Sequence, residues 1–259
     1  MPELPDLQVF SHNLDKQLSG KVVKEVHIKN TKRAKESAAA FRKALEGEKL
    51  EKVYREGKEL RFKFKHDVVL GMHLMLHGKL FFFEEENTNK HPIIELLFED
   101  KTGLVLTDYQ GMAVPTLNPE EVDVPDALSD DMTVKFLQEQ LSKKKTVVKK
   151  VLLDQHIIRG IGNAYADEIL WEAGISPFSV SNKIPAAKIK ALHTAIHKVL
   201  KEAEKDIRKA HPDIIAGEVR DFLKIHQPKL THSPTGGAIA QKELNGRKTY
   251  YTDEQELFE

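Results

Sequence analysis

The chain has 259 residues, a formal net charge of zero, 40% hydrophobic and 31% charged residues, and no cysteine. That length buries one core or two, and the missing cysteines exclude disulfides, a thiol nucleophile and any thiolate zinc site. No apolar run reaches membrane-spanning length and residues 1–20 lack the basic start and apolar centre of a signal peptide, so a soluble, cytoplasmic protein is expected.

The chain opens Met1-Pro2-Glu3-Leu4-Pro5. Removal of Met1, expected before a residue as small as Pro2, leaves a secondary amine with a carboxylate one residue away. A free α-amino group has a pKa of about 8, so part of it is an unprotonated nucleophile near neutral pH. Proline is equally at home in the first turn of a helix, and these five residues alone allow either reading. Leu7, Phe10, Leu14 and Leu18 then fall at helical spacing before Gly20, which predicts one amphipathic helix over 3–19.

From Lys21 to about Leu117 the apolar period becomes two. Val26 and Ile28 alternate with polar residues, and Leu60, Phe62 and Phe64 alternate with Arg61, Lys63 and Lys65, which predicts a strand with one apolar and one basic face. Further strands are expected over 68–74, 79–83, 93–98 and 103–107, with a hairpin turn at Asp100-Lys101-Thr102-Gly103. A Pro-rich acidic stretch, 115–125, reads as a linker. Helices are expected over 131–142, 145–153, 163–173, 185–206 and 212–225. A closing hairpin is expected at Leu244-Asn245-Gly246-Arg247, because Asn-Gly is a strong two-residue turn signal.

Charge is uneven along this neutral chain. Residues 141–160 hold six Lys or Arg (Lys143, Lys144, Lys145, Lys149, Lys150, Arg159) against Asp154, and residues 181–210 hold eight against three acids. A local basic patch facing phosphate accounts for this, as does a solvated helix face. His226 and His232 are the nearest approach to a metal pair among the twelve His, and no metal is expected.

Residues 152–170 form the second distinctive stretch: a helix ends, Gly160 and Gly162 permit tight turns, and a new helix begins at Asn163, a good cap. The positive end of that helix favours a phosphate. With this motif in place, the chain resembles the formamidopyrimidine-DNA glycosylase/endonuclease VIII family over nearly its whole length. The resemblance rests on the Pro2–Pro5 start, on Gly57-Lys58, on His73-Leu74-Met75-Leu76-His77-Gly78, on Gln155 to Leu170, and on Gly246-Arg247-Lys248-Thr249-Tyr250-Tyr251 with Gln255.

The resemblance implies an α+β fold. An N-terminal antiparallel β-sandwich with its helix would occupy 1–125, a helix–two-turns–helix domain 126–225, and a β-hairpin finger without zinc 226–259. It implies a monomeric bifunctional glycosylase and abasic-site lyase of base excision repair that removes oxidised bases from double-stranded DNA and cleaves the strand by elimination, with no cofactor, no metal and no membrane partner. Pro2 would attack C1′ of the damaged nucleotide and form an iminium, Glu3 would pass a proton to the sugar ring oxygen, and Lys58 would contact phosphate at the lesion. His73, Asn163 and Arg247 would grip phosphates around a flipped nucleotide. For Asn163, capping and phosphate contact are compatible.

Two departures from the family stand out. Tyr251-Thr252-Asp253-Glu254-Gln255 replaces the last cysteine pair, so packing by Leu244, Tyr250, Tyr251 and Phe258 is expected to hold the finger. Family members fill the gap left by the flipped nucleotide with a Met from one loop and an Arg and Phe from another. Here Leu76 takes the first place, and Asp108-Tyr109-Gln110-Gly111-Met112 offers Met112 or Tyr109 for the second. The loop at 229–237 lies where family members cover the base. The missing Arg and Phe leave open two alternatives, a DNA-damage binding protein without catalysis and a lyase for abasic sites alone.

Overall fold

Leu4, Leu7, Phe10, Leu14 and Leu18 line one face of helix α1 (Leu4–Leu18) and are all buried. The computed structural model to which this helix belongs describes residues 1–30 and 33–259. The chain forms two compact units, the first comprising Met1–Val122 with Ile207–Glu218, the second Asp123–Asp206 with Val219–Glu259.

In the first unit α1 is followed by β1 (Val23–Ile28), α2 (Ala38–Leu45), β2 (Leu50–Glu56), β3 (Glu59–Phe64), β4 (Val69–His73), β5 (Lys79–Glu84), β6 (Pro92–Phe98), β7 (Thr102–Thr107) and β8 (Val114–Leu117). The strands make two four-stranded antiparallel sheets, in the orders β1-β6-β7-β5 and β2-β3-β4-β8. Phe10, Phe41, Phe62, Phe64 and Phe98 join one apolar core with leucines from both sheets. Each such ring contributes about 1.5–3 kcal/mol by leaving water.

The second unit holds α3 (Val134–Ser142), α4 (Val148–Leu153), α5 (Asn163–Glu172) and most of α6 (Ala186–Ala210), then the hairpin β9 (Ile239–Leu244) and β10 (Arg247–Thr252). Thr133 caps α3 by accepting the Phe136 N–H at 3.1 Å. Asn245 and Gly246 both take positive φ, 51° and 72°, as a type I′ turn requires.

Three expectations are corrected, and two elements, β2 and α2, were not expected at all. The stretch 115–125 is not all linker: β8 enters it, with Pro115 on an edge strand where its missing N–H removes no ladder bond. β2 and α2 had no clear period in the sequence. Arg61 does not belong to a basic face; it is buried, with Glu56 at 2.6 Å and Glu59 at 3.1 Å. Residues 212–225 form turns rather than a helix. Gly217 there takes φ +94°, the Gln227 side chain donates to the carbonyls of Arg220, Asp221 and Leu223, and Glu168 takes the following amides.

Candidate active site and nucleic-acid interface

The first turn of α1 fixes the chain start. Pro2 is buried and Glu3 is 5% exposed, in extended backbone conformation just before the helix. Asp6, fully buried, accepts the Glu3 N–H at 2.8 Å. That bond satisfies an amide the helix leaves open and holds Glu3 rigidly. One turn on, Gln8 accepts the Arg55 Nε–H at 2.9 Å, and Arg55 donates again to the Gly57 carbonyl at 2.9 Å. The β2–β3 turn, with Gly57 at φ +57° and Lys58 beside it, is thereby tied to α1.

Lys58 is in turn electrostatically coupled to His73 at the end of β4. Burial, and then the charge of Lys58, hold the His73 pKa below the ordinary histidine value. His73 Nδ1 lies 3.1 Å from the Met75 N–H and accepts it. The neutral ring therefore carries its proton on Nε2, a donor suited to a phosphate oxygen.

Two loops run side by side between the sheets. One leads from β4 to β5 and the other from β7 to β8, and the ladders pair β4 with β8 and β5 with β7. The first loop closes with the Gly78 N–H on the Leu74 carbonyl at 2.8 Å. A Cβ at Gly78 would sit 2.2 Å from that oxygen, so only glycine fits. Met75 takes φ +54° and Leu76 is left 56% exposed. In the second loop the buried Asp108 carboxylate accepts the N–H groups of Gln110 (2.9 Å), Met112 (2.8 Å) and Ala113 (2.8 Å). Tyr109 is 61% exposed and its ring lies 4.7 Å from that of His77. Met112 is only half-exposed, so Tyr109 is the better-presented wedge of the two that the sequence offered.

In the second unit Gln155 stitches the two turns between α4 and α5. Its amide donates to Leu153 and Ile161 carbonyls (3.0 and 2.9 Å) and accepts the Gly160 N–H at 2.9 Å. Gly162, not Asn163, is the N-cap of α5. Asn163 is the first helical residue, and its Nδ2 donates to the Lys248 carbonyl at 2.9 Å. That bond uses one of the two amide protons. It also sets Asn163 against the strand that carries Arg247, which is exposed at the hairpin turn.

The finger is held by a buried polar cluster. Lys149 and Asp167, 1% and 0% exposed, lie 2.6 Å apart. Lys149 also donates to Thr249 Oγ1 at 2.8 Å, and Asp167 accepts the Tyr250 N–H at 2.9 Å and contacts His226 Nδ1 at 2.7 Å. Gln255 spans Thr252 N–H and Ile175 carbonyl, both at 2.8 Å. Tyr250 is buried and Tyr251 packs edge-on against Phe178 at 4.9 Å, so packing supplies only part of what the sequence suggested. A zinc ion does not fit here. The finger lacks cysteine, and among the described residues no three His, Cys, Asp or Glu are grouped to hold a metal.

The sequence-predicted residues thus fall into two sets. Pro2, Glu3, Lys58, His73, Leu76 and Met112 belong to the first unit, and Asn163 and Arg247 to the second. Lys149 leaves the expected phosphate-facing patch because Asp167 takes its charge. Arg159 is drawn inward too, donating to the Val124 carbonyl at 2.7 Å. Asp108, Gln155 and Asp167 carry structure that sequence reasoning passed over. Only Asp108 had a local signal, as a turn-forming Asp before a glycine. Residues 231–238 are pinned to the finger by Ser233, which donates to Glu254 at 2.8 Å. The segment that reaches the chain start is Ile207–Glu218, whose Glu218 pairs with the Met1 amine.

Two family domains match most of the chain. The formamidopyrimidine-DNA glycosylase N-terminal domain matches residues 1–114 and the formamidopyrimidine-DNA glycosylase H2TH domain matches residues 124–210. The chain is 30% identical to the formamidopyrimidine-DNA glycosylase of Streptococcus pneumoniae over 270 residues, and 30% identical to that of Bacillus cereus over 269, covering 97% of each chain in both cases. Among solved structures it resembles the Lactococcus lactis Fpg bound to DNA with an abasic site, with a TM-score of 0.87 and 24% identity over 97% of this chain and 98% of that one. That likeness concerns the fold.

Proposed function

The chain belongs to the formamidopyrimidine-DNA glycosylase family, and on that footing we propose that it is a bifunctional DNA glycosylase and abasic-site lyase of base excision repair. Its substrate is double-stranded DNA carrying an oxidised base or an abasic site. Pro2, freed by loss of Met1, attacks C1′, the base leaves, and the sugar ring opens to an iminium on the proline nitrogen. Glu3 supplies the proton at the ring oxygen. Loss of a C2′ proton then lets the 3′ phosphate leave by β-elimination, and a second elimination releases the 5′ phosphate.

Lys58 and His73 bind the phosphate beside the lesion, and Asn163 and Arg247 bind phosphates from the second unit. Leu76, with Tyr109 in preference to Met112, fills the stack where the nucleotide leaves it. Catalysis is assigned to residues 1–125, duplex binding to 126–225 and a finger to 226–259. No helix of the described residues is long and apolar enough to cross a membrane; the reading places the enzyme with DNA in the cytoplasm, as a monomer.

The observation that carries this reading is the fixed start of α1, where Asp6 holds Glu3 and Gln8–Arg55 ties in the Lys58 turn. The test is a panel of duplexes with an oxidised purine, an oxidised pyrimidine, an abasic site or no damage, scored for released base and strand breaks. Base release with strand cleavage on a damaged duplex supports the reading. Cleavage at abasic sites alone supports the lyase-only alternative, and binding without cleavage supports a damage-binding protein. That last alternative draws on the second loop, which offers no arginine to the opposite base.

A further inference from the structure

The segment after α6 returns to the start of the chain and is fixed there. Asn13 of α1 donates through Nδ2 to the Ile214 carbonyl at 2.9 Å, and Ile214 and Ile215 pack against the core of the sheets. Gly217 then takes φ +94°, a conformation that favours glycine, and the next residue, Glu218, turns its carboxylate onto the terminal amine of Met1. Both side chains remain open to solvent, 35% and 37% exposed.

We propose that Glu218 is a positioning residue for the Pro2 nucleophile, an inference that rests on the iminium reading above. The nitrogens of adjacent residues lie about 3 Å apart along the backbone. Loss of Met1 therefore leaves the new amine within one side-chain rotation of the carboxylate. The uncharged proline amine has one N–H and one lone pair. A carboxylate that accepts the N–H directs the lone pair away from itself, and so fixes the direction of attack on C1′. Orientation of this kind speeds a bond-forming step without strengthening binding. Glu218 is also open to solvent, whereas Glu3 and Asp6 are buried.

The test uses full-length protein from which Met1 has been removed, confirmed by mass spectrometry. Two quantities are compared: the single-turnover rate of borohydride-trapped adduct on an abasic-site duplex, and the Kd for a duplex with a tetrahydrofuran site, which has no aldehyde to trap. Glu218→Ala is expected to slow adduct formation about tenfold while leaving Kd within about twofold. Glu218→Gln, which keeps an acceptor, recovers part of the rate. An alanine variant that traps at the unsubstituted rate overturns the proposal, as does a loss matched by weaker binding, or a glutamine variant as slow as alanine. If the unsubstituted protein forms no adduct, the iminium reading itself fails, and this proposal with it.

Discussion

The Lys149 ammonium and the Asp167 carboxylate meet at 2.6 Å, where neither has meaningful access to water. The pair joins α4 to α5, and through Thr249 and Tyr250 it joins both to β10. A buried charge stripped of its partner is strongly destabilising. Lys149→Met is therefore expected to lower stability by about 3–5 kcal/mol, read by urea unfolding. Lys149→Met with Asp167→Leu should recover much of that loss. Because the finger is held this way, a chelator should leave unfolding and DNA affinity unchanged; a fall in either would contradict the account.

The exposed Leu76 and Tyr109 should matter to duplex DNA and not to folding. Tyr109→Ala is expected to change stability by no more than about 0.5 kcal/mol but to slow excision from duplex DNA about tenfold, roughly 1.4 kcal/mol of barrier. Met112→Ala should cost less. Equal effects, compared by single-turnover kinetics, would remove Tyr109 from the wedge.

His73 gives a pH signature. Its folded pKa is depressed, by burial first and by Lys58 second, while the unfolded value lies near 6.5. Below about pH 6.5 the unfolded chain binds a proton that the native site resists, so stability present above that pH is lost as pH falls toward the folded value. The unsubstituted protein should therefore lose more stability between about pH 7 and pH 5 than His73→Gln does. Parallel curves from denaturant titrations would show that His73 is not held neutral.

Salt dependence separates the lysines and arginines that face phosphate from those that do not. Arg247 is exposed, so Arg247→Ala is expected to reduce the slope of log K against log salt by about one. In the refolded Lys149→Met, Asp167→Leu protein the slope should stay as it is, since Lys149 already has its counterion. A slope unmoved by Arg247→Ala would take that residue off the phosphate backbone.

How legible these features were depended on whether a local pattern carried them. Helix α1 showed in the spacing of Leu7, Phe10, Leu14 and Leu18, and the hairpin in Asn245-Gly246. Strand β2 did not show, because only Leu50 and Val53 of its seven residues are buried and the register slips between Leu50 and Lys52. In α2 an alanine run hides the period. Pro115 disguised β8. The helix expected over 212–225 had the right apolar residues, but its carbonyls bond to the Gln227 side chain and its last amides to Glu168, which lies 56 residues away from Lys224. Motifs singled out Pro2, Glu3 and Lys58 as candidates; none marks Glu218, because its contact with the first residue spans 217 positions.

The measurement closest to the central claim is borohydride trapping on a duplex with one abasic site, comparing protein lacking Met1 with protein that retains it, followed by mass mapping of the adduct. The processed protein alone is expected to form an adduct, mapped to the peptide that begins at Pro2. An adduct of equal yield with Met1 retained, or one mapped to a lysine, would contradict it.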